Sequence, residues 1–148
     1  MLNGQYKTAK DYLDQAVEGL RKAGSMDDLP RGLLVRANYY TQTLQHPLAW
    51  RDLDECFEIA SFGDMQLHLC DYHLAVCRDI ASQLMNGQLK NENAPLLVID
   101  NGQRVSLTKE DMQARLQQSY HTAAKMIDEL PYHWRDDELA ALAPIIDC

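Results

Sequence analysis

Five stretches of this chain repeat apolar residues at intervals of three and four, and each closes on a short break. That helical period limits the fold more than any other feature. Over residues 8–23 the apolar line is Ala9, Leu13, Ala16, Val17 and Leu20, closed by Gly24 as a C-terminal cap. Asp27 or Asp28 then serves as an N-cap, Pro30 falls in the first turn, and Leu33, Leu34, Ala37, Tyr40 and Leu44 follow. His46-Pro47 interrupts before a third helix over 48–62, with Ala49, Leu53, Cys56, Phe57 and Ala60 and a closing Gly63. A fourth, over 65–85, carries Leu67, Cys70, Leu74, Cys77 and Ala81 and stops at Asn86-Gly87. The fifth starts at Thr108, with Asp111 completing an approximate capping box. Its line is Met112, Leu116, Tyr120, Ala123 and Ile127, and it ends at Leu130-Pro131. A last helix over 136–145 shows Leu139, Leu142 and Ala143 on one side.

One segment breaks the period. Residues 88–95 are polar and aperiodic, and LLVID-NG-QRVSL follows them. Asn101-Gly102 between two β-rich runs predicts a hairpin in which Asp100 faces Gln103, Val98 faces Val105 and Leu96 faces Leu107. Two strands alone are barely stable in water, so the hairpin is expected to lie on the helices or on a second copy of the chain.

Composition narrows the function. With 148 residues, 46% of them hydrophobic, the chain is one soluble domain that buries a core without disulfide or metal. Fourteen Lys and Arg against 22 Asp and Glu leave a net charge of -8, which excludes a general nucleic-acid binder. No apolar run reaches membrane-spanning length and no secretion signal opens the chain, so a cytoplasmic location with reduced thiols is expected. Cys56, Cys70, Cys77 and Cys148 match no paired-cysteine zinc spacing and no CxxC motif.

The helix pairs repeat. Ala9-Leu13-Ala16, Ala49-Leu53-Cys56 and Leu116-Tyr120-Ala123 share a four-then-three spacing, and in the first two small residues flank a larger one. The first two sets lie 40 residues apart. The pattern resembles the tetratricopeptide repeat, a helix-turn-helix unit of ~34 residues. Leu33, Ala37 and Tyr40 stand at that family's tryptophan, small-residue and tyrosine places of helix A. Ala49, Leu53 and Cys56 stand at the alanine, aromatic and alanine places of helix B. In the next unit Leu67 and Leu74 fit, Asp71 takes the small-residue place, and helix B comes about 33 residues late, after the hairpin. DYLDQAVEGLRKAG, DLPRGLLVRANYY, RDLDECFEIASFGDMQLHLCDYHLA and AAKMIDELPYHWRDDELAAL resemble the C-terminal repeat arrays of large bacterial multidomain proteins with signalling or NACHT-type nucleotide-triphosphatase regions. No GxxxxGK[ST] is present, and residues 2–7 read as a helix B without its helix A. The chain is thus expected to be a domain of a longer protein.

The resemblance implies an all-α array of antiparallel helix pairs, an α-α superhelix, over residues 1–148. An inserted loop and β-hairpin at 88–107 and a capping helix at 134–146 complete it. It also implies a concave groove lined by Arg31, Leu34, Asn38, Thr41 and Gln42 on one A helix and by His68 and Tyr72 on the next. Asn38 and Gln42 would bond a peptide backbone, Arg31 a carboxylate, and Tyr72 would offer stacking area. Family members that bind chaperone tails carry a Lys/Asn and Lys/Arg clamp at these places, and Leu34 with Asn38, and His68 with Tyr72, do not supply it. The expected function is non-catalytic protein-protein interaction, as scaffold or sensor, without a cofactor. Self-association through the hairpin edge or the exposed first helix is a further expectation.

Two other readings compete. Cys70, His73 and Cys77 on one helix face resemble a zinc or thiol-enzyme centre, although the apolar line already explains both cysteines. A regulator binding a short signalling peptide would use the same groove. Asp52, Asp54 and Glu55, and Asp136, Asp137 and Glu138, read as solvated faces and not as paired catalytic carboxylates. Tyr132-His133-Trp134 is either a packed hinge or an exposed hot spot.

Overall fold

In the computed structural model, residues 2–90, 96–100, 103–129 and 139–142 are described, with side chains for 9–86, 108–129 and 139–142. Five helices follow in chain order: α1 (Leu2–Lys22), α2 (Leu29–Gln42), α3 (His46–Phe62), α4 (Gln66–Lys90) and α5 (Lys109–Glu129). Each packs on its neighbour, and α2 also packs on α4.

The turns between them repeat. Gly24, Leu44 and Asp64 have φ of 67, 61 and 51°, and each ends its helix by the same reversal. The residue after each one donates its N–H to a carbonyl five residues back: Ser25 to Leu20 at 3.0 Å, Gln45 to Tyr40 at 2.8 Å and Met65 to Ala60 at 2.9 Å. This left-handed C-cap closes orphan carbonyls of the last turn. The reversals fall every 20 residues, so equivalent helices stand 40 residues apart, against the ~34 of a tetratricopeptide unit. The extra length lies in the helices and not in one long linker.

Several boundaries move. α1 is a single helix from Leu2, with no break between 7 and 8. Gly63 has φ -87°, and the left-handed residue is Asp64. Leu44 leaves the apolar line to become a turn residue, 48% exposed. α4 runs through Asn86-Gly87 to Lys90, because continued i→i-4 bonding outweighs the weak helix propensity of that pair. At α5 the Asp111 N–H donates to Thr108 Oγ1 at 3.2 Å, which is half of a capping box.

The core forms where helix faces meet. Val17, Leu29, Leu33, Trp50, Leu53, Leu74, Ile80, Met112, Leu116 and Ile127 are fully buried. Leu142 and the partly buried Leu139, in a helical stretch at 139–142, pack against the same cluster. The rest of the expected capping helix at 134–146, with Tyr132, His133, Trp134 and Cys148, lies outside the described residues. No helix among the described residues is long and apolar enough to cross a membrane.

The expected fold class needs correction. The body is all-helical, and the described core cluster is supplied wholly by helical residues. A β-hairpin inserted as a module of that architecture is not supported. Leu96–Asp100 (β1) and Gln103–Leu107 (β2) pair antiparallel, Leu96 with Leu107 and Asp100 with Gln103, beside α3. Among the described residues the two five-residue strands have no third strand to build a layer on, so they form only a two-stranded ribbon.

Candidate functional site

α2 and α4 run parallel, in step with the 40-residue spacing. The Asp27 carbonyl lies 3.2 Å from His68 Nε2, Arg78 Nη2 donates to Asn38 Oδ1 at 3.4 Å, and Thr41 Oγ1 donates to Asp79 Oδ2 at 2.8 Å. The outer line of α2 is Arg31, Val35, Asn38 and Gln42, spaced four, three and four. Arg31, Val35 and Gln42 are exposed, and Asn38 is half-buried beside Arg78. Those intervals advance the helix by whole turns, so the four side chains share one face.

The expected groove residues therefore divide. Arg31, Asn38 and Gln42 lie together on the open line. Leu34, Thr41 and Tyr72 are buried, which corrects their placement in the groove. Leu34 belongs to the core, and Thr41 is held by Asp79. Tyr72 stacks on Phe57 of α3 with ring centroids 5.0 Å apart. His68 is half-buried and turned towards the loop before α2. Val35 and Arg78 were not singled out from sequence, although Val35 sits one turn from Arg31 and Asn38 and was legible from that spacing.

Two polar joints hold this face in place. In the first, Arg36 of α2 donates Nε and Nη2 to Asp52 of α3 at 2.7 and 2.8 Å, and Nη1 to Asp14 of α1 at 3.1 Å. The Asp52 hydrogen bonds hold the Arg36 guanidinium above its ordinary pKa, and burial pushes the Asp52 carboxyl up. In the second, Asp79 of α4 is fully buried. Its Oδ1 accepts from Trp50 Nε1 at 2.5 Å and Gln83 Nε2 at 2.7 Å. Its Oδ2 accepts from Thr41 Oγ1 and lies 2.8 Å from His46 Nδ1. The Arg115 guanidinium of α5 lies over the Trp50 ring, 5.1 Å from its centroid. Each joint ties three helices through one charged group. Neither has a local sequence signature, because the partners lie 16 to 38 residues apart across helices.

Cys70, His73 and Cys77 lie on the seam with α5. Cys77 Sγ is 3.8 Å from the Leu116 carbonyl oxygen, and Cys70 Sγ is 4.0 Å from that of Ala123. Burial pushes the Cys77 thiol up to about 12, as it does Cys56. Metal ligation and nucleophilic attack both need the thiolate, which burial disfavours here. His73 Nδ1 is buried with no hydrogen-bond partner among the described residues. Burial, and then the charge of Arg115, lower its pKa to about 4. Among the described residues no group of three or more His, Cys, Asp or Glu is arranged to hold a metal ion.

No family model, curated protein or solved structure matches the chain.

Proposed function

We propose that this chain is a non-catalytic protein-protein interaction module of the tetratricopeptide type, serving a larger bacterial protein as scaffold or sensor. Its partner binds as an extended segment along the outer line of α2. The observation that carries this reading is the run of Arg31, Val35, Asn38 and Gln42 on one face, held by joints that leave it open to solvent. Asn38 and Gln42 are one turn apart, about 6 Å along the axis. Same-side groups of an extended chain recur every ~6.6 Å, so the two carboxamides can meet alternate residues of a bound segment. Arg31 suits a carboxylate, and Val35 supplies an apolar contact between them.

The test is co-purification from the source cell with this domain as bait. Val35→Asp and the Asn38→Ala/Gln42→Ala pair should each lose the captured protein, while Glu58→Lys on the exposed side of α3 should keep it. Equal capture by all four baits refutes the assigned face.

A further inference from the structure

The same left-handed reversal ends α1, α2 and α3, but on three different residues: Gly24, Leu44 and Asp64. Glycine takes that backbone without strain and aspartate tolerates it, whereas leucine does not. Leu44 holds φ 61°, and its side chain is 48% exposed and outside the described core cluster. Neither the turn nor the core therefore accounts for a leucine here. Met85 of α4 is a second exposed apolar residue, at 59%. Arg78, Ser82 and Met85 are spaced four and three, so Met85 shares the face on which Arg78 meets Asn38 of α2. Leu44 lies six residues past Asn38 and Met85 seven past Arg78. With α2 and α4 parallel, both stand about 10 Å from that contact towards the same end. That end carries little charge. The chain is 24% charged, yet residues 41–50 and 80–86 contain no Asp, Glu, Lys or Arg. The two stretches adjoin at the buried Asp79, which already occupies Thr41, His46 and Trp50.

Resting on the α2-face reading above, we propose that Leu44 and Met85 form an apolar foot to that face, which seats a bulky apolar side chain of the bound segment beyond the residues that meet Asn38 and Gln42. The occupant is the partner's extended segment, because the foot continues the line Arg31, Val35, Asn38 and Gln42 that the segment follows. The chemistry of the occupant follows from the charge-free end. An acidic or basic side chain entering it would lose water and meet no opposite charge, whereas an uncharged apolar one gains contact. Leu44 then has a reason to stay where glycine would suit the backbone better. Its strain costs the fold and serves the contact, as strained residues at binding sites do.

Random peptides of about twelve residues, displayed on phage and selected on the full chain, supply the probe, and fluorescence polarisation of the tightest one measures its affinity. Val35→Asp should abolish binding. Leu44→Gly and Leu44→Ala should each weaken it about tenfold, and Leu44→Gly should do so while raising the melting temperature. Met85→Ser should weaken it about fivefold. Phe62→Ser, at an exposed apolar residue on the opposite end of α3, should bind as the wild type does. Replacing the peptide's apolar residue with alanine should weaken binding to the wild type about tenfold and leave binding to Leu44→Gly nearly unchanged, because the two side chains act as one contact. A peptide lost on Val35→Asp but held equally by Leu44→Gly and Met85→Ser overturns the foot and leaves the α2 face standing. A peptide indifferent to Val35→Asp, or a selection that yields none, overturns the face and the foot together. A Leu44→Gly variant that melts below the wild type would show that the leucine serves the fold, and overturns the proposal as well.

Discussion

Removing the Asp79 carboxylate should rank among the costliest single polar changes in this protein, because that group is fully buried. Asp79→Ala leaves the Trp50 indole N–H, the Thr41 hydroxyl and the Gln83 amide without the acceptor they now share, and His46 Nδ1 without its carboxylate contact. The carboxylate is fully buried, so water does not replace it without opening the α2–α3–α4 junction. Orphaning a buried donor costs about 1–3 kcal/mol, and breaking a buried charged network by deleting one member costs about 3–5 kcal/mol. Loss of the carboxylate's own desolvation penalty offsets part of this, so about 3 kcal/mol is the expected net. Domains of this kind hold about 5–15 kcal/mol in all. At roughly 2–4 °C per kcal/mol for this chain length, the melting temperature should fall by about 10 °C. Urea unfolding followed by circular dichroism measures it. Asp79→Asn, which keeps one acceptor oxygen, should lose about half as much. In a double-mutant cycle with Trp50→Phe, the coupling should exceed about 1 kcal/mol. A loss below about 1 kcal/mol for Asp79→Ala, or no coupling to Trp50, would refute the idea that this carboxylate fastens three helices.

Other outcomes follow from the same structure. Arg36→Ala should cost about 3–5 kcal/mol because Asp52 is left buried and unpaired, and Arg36→Lys should recover little, since an ammonium does not reproduce the bidentate bond; equal stability of the lysine variant and the wild type in urea would contradict this. His73 has a folded pKa of about 4, below its unfolded value, so its contribution is complete above pH 6.5 and falls away as pH drops towards 4. That loss is at most about 3 kcal/mol, and a His73→Phe variant whose stability declines as steeply over this window as the wild type would refute it. Leu44→Gly should stabilise the chain by about 0.5–1 kcal/mol in thermal melts, because its left-handed backbone, φ 61°, suits glycine and its side chain is half exposed; a destabilised variant would show that the Leu44 side chain contributes more than its backbone costs.

Much of the helical order was legible in sequence, and the reason is local. The lines Leu33-Ala37-Tyr40, Ala49-Leu53-Cys56 and Cys70-Leu74-Cys77 are all buried as their spacing predicts, because burial on one helix face is a property of neighbours three and four residues apart. What failed depended on distant residues. Ala16 shares a motif with Cys56 but lacks the helix that covers Cys56, so identical spacing gave opposite exposure. Phe57 and Leu67 sit on apolar lines yet lie 41% and 49% exposed, at edges that periodicity does not resolve. The turn at Leu44 escaped notice because leucine is a rare choice for a left-handed cap. At the candidate site, Arg31, Asn38 and Gln42 were legible as one polar face. Leu34, Thr41 and Tyr72 were misplaced, because the closeness of α2 to α4, and the pull of Asp79 on Thr41, arise only after the helices stack.

A partner lying along the outer line of α2 should mark that face of the labelled chain. Amide chemical-shift perturbation on titrating the captured partner into the labelled chain tests it most directly. The largest changes should fall at Arg31, Val35, Asn38 and Gln42, with Arg78 across from them, and little change at Glu58. Changes concentrated on α1, or on β2, with α2 unmoved, would contradict it.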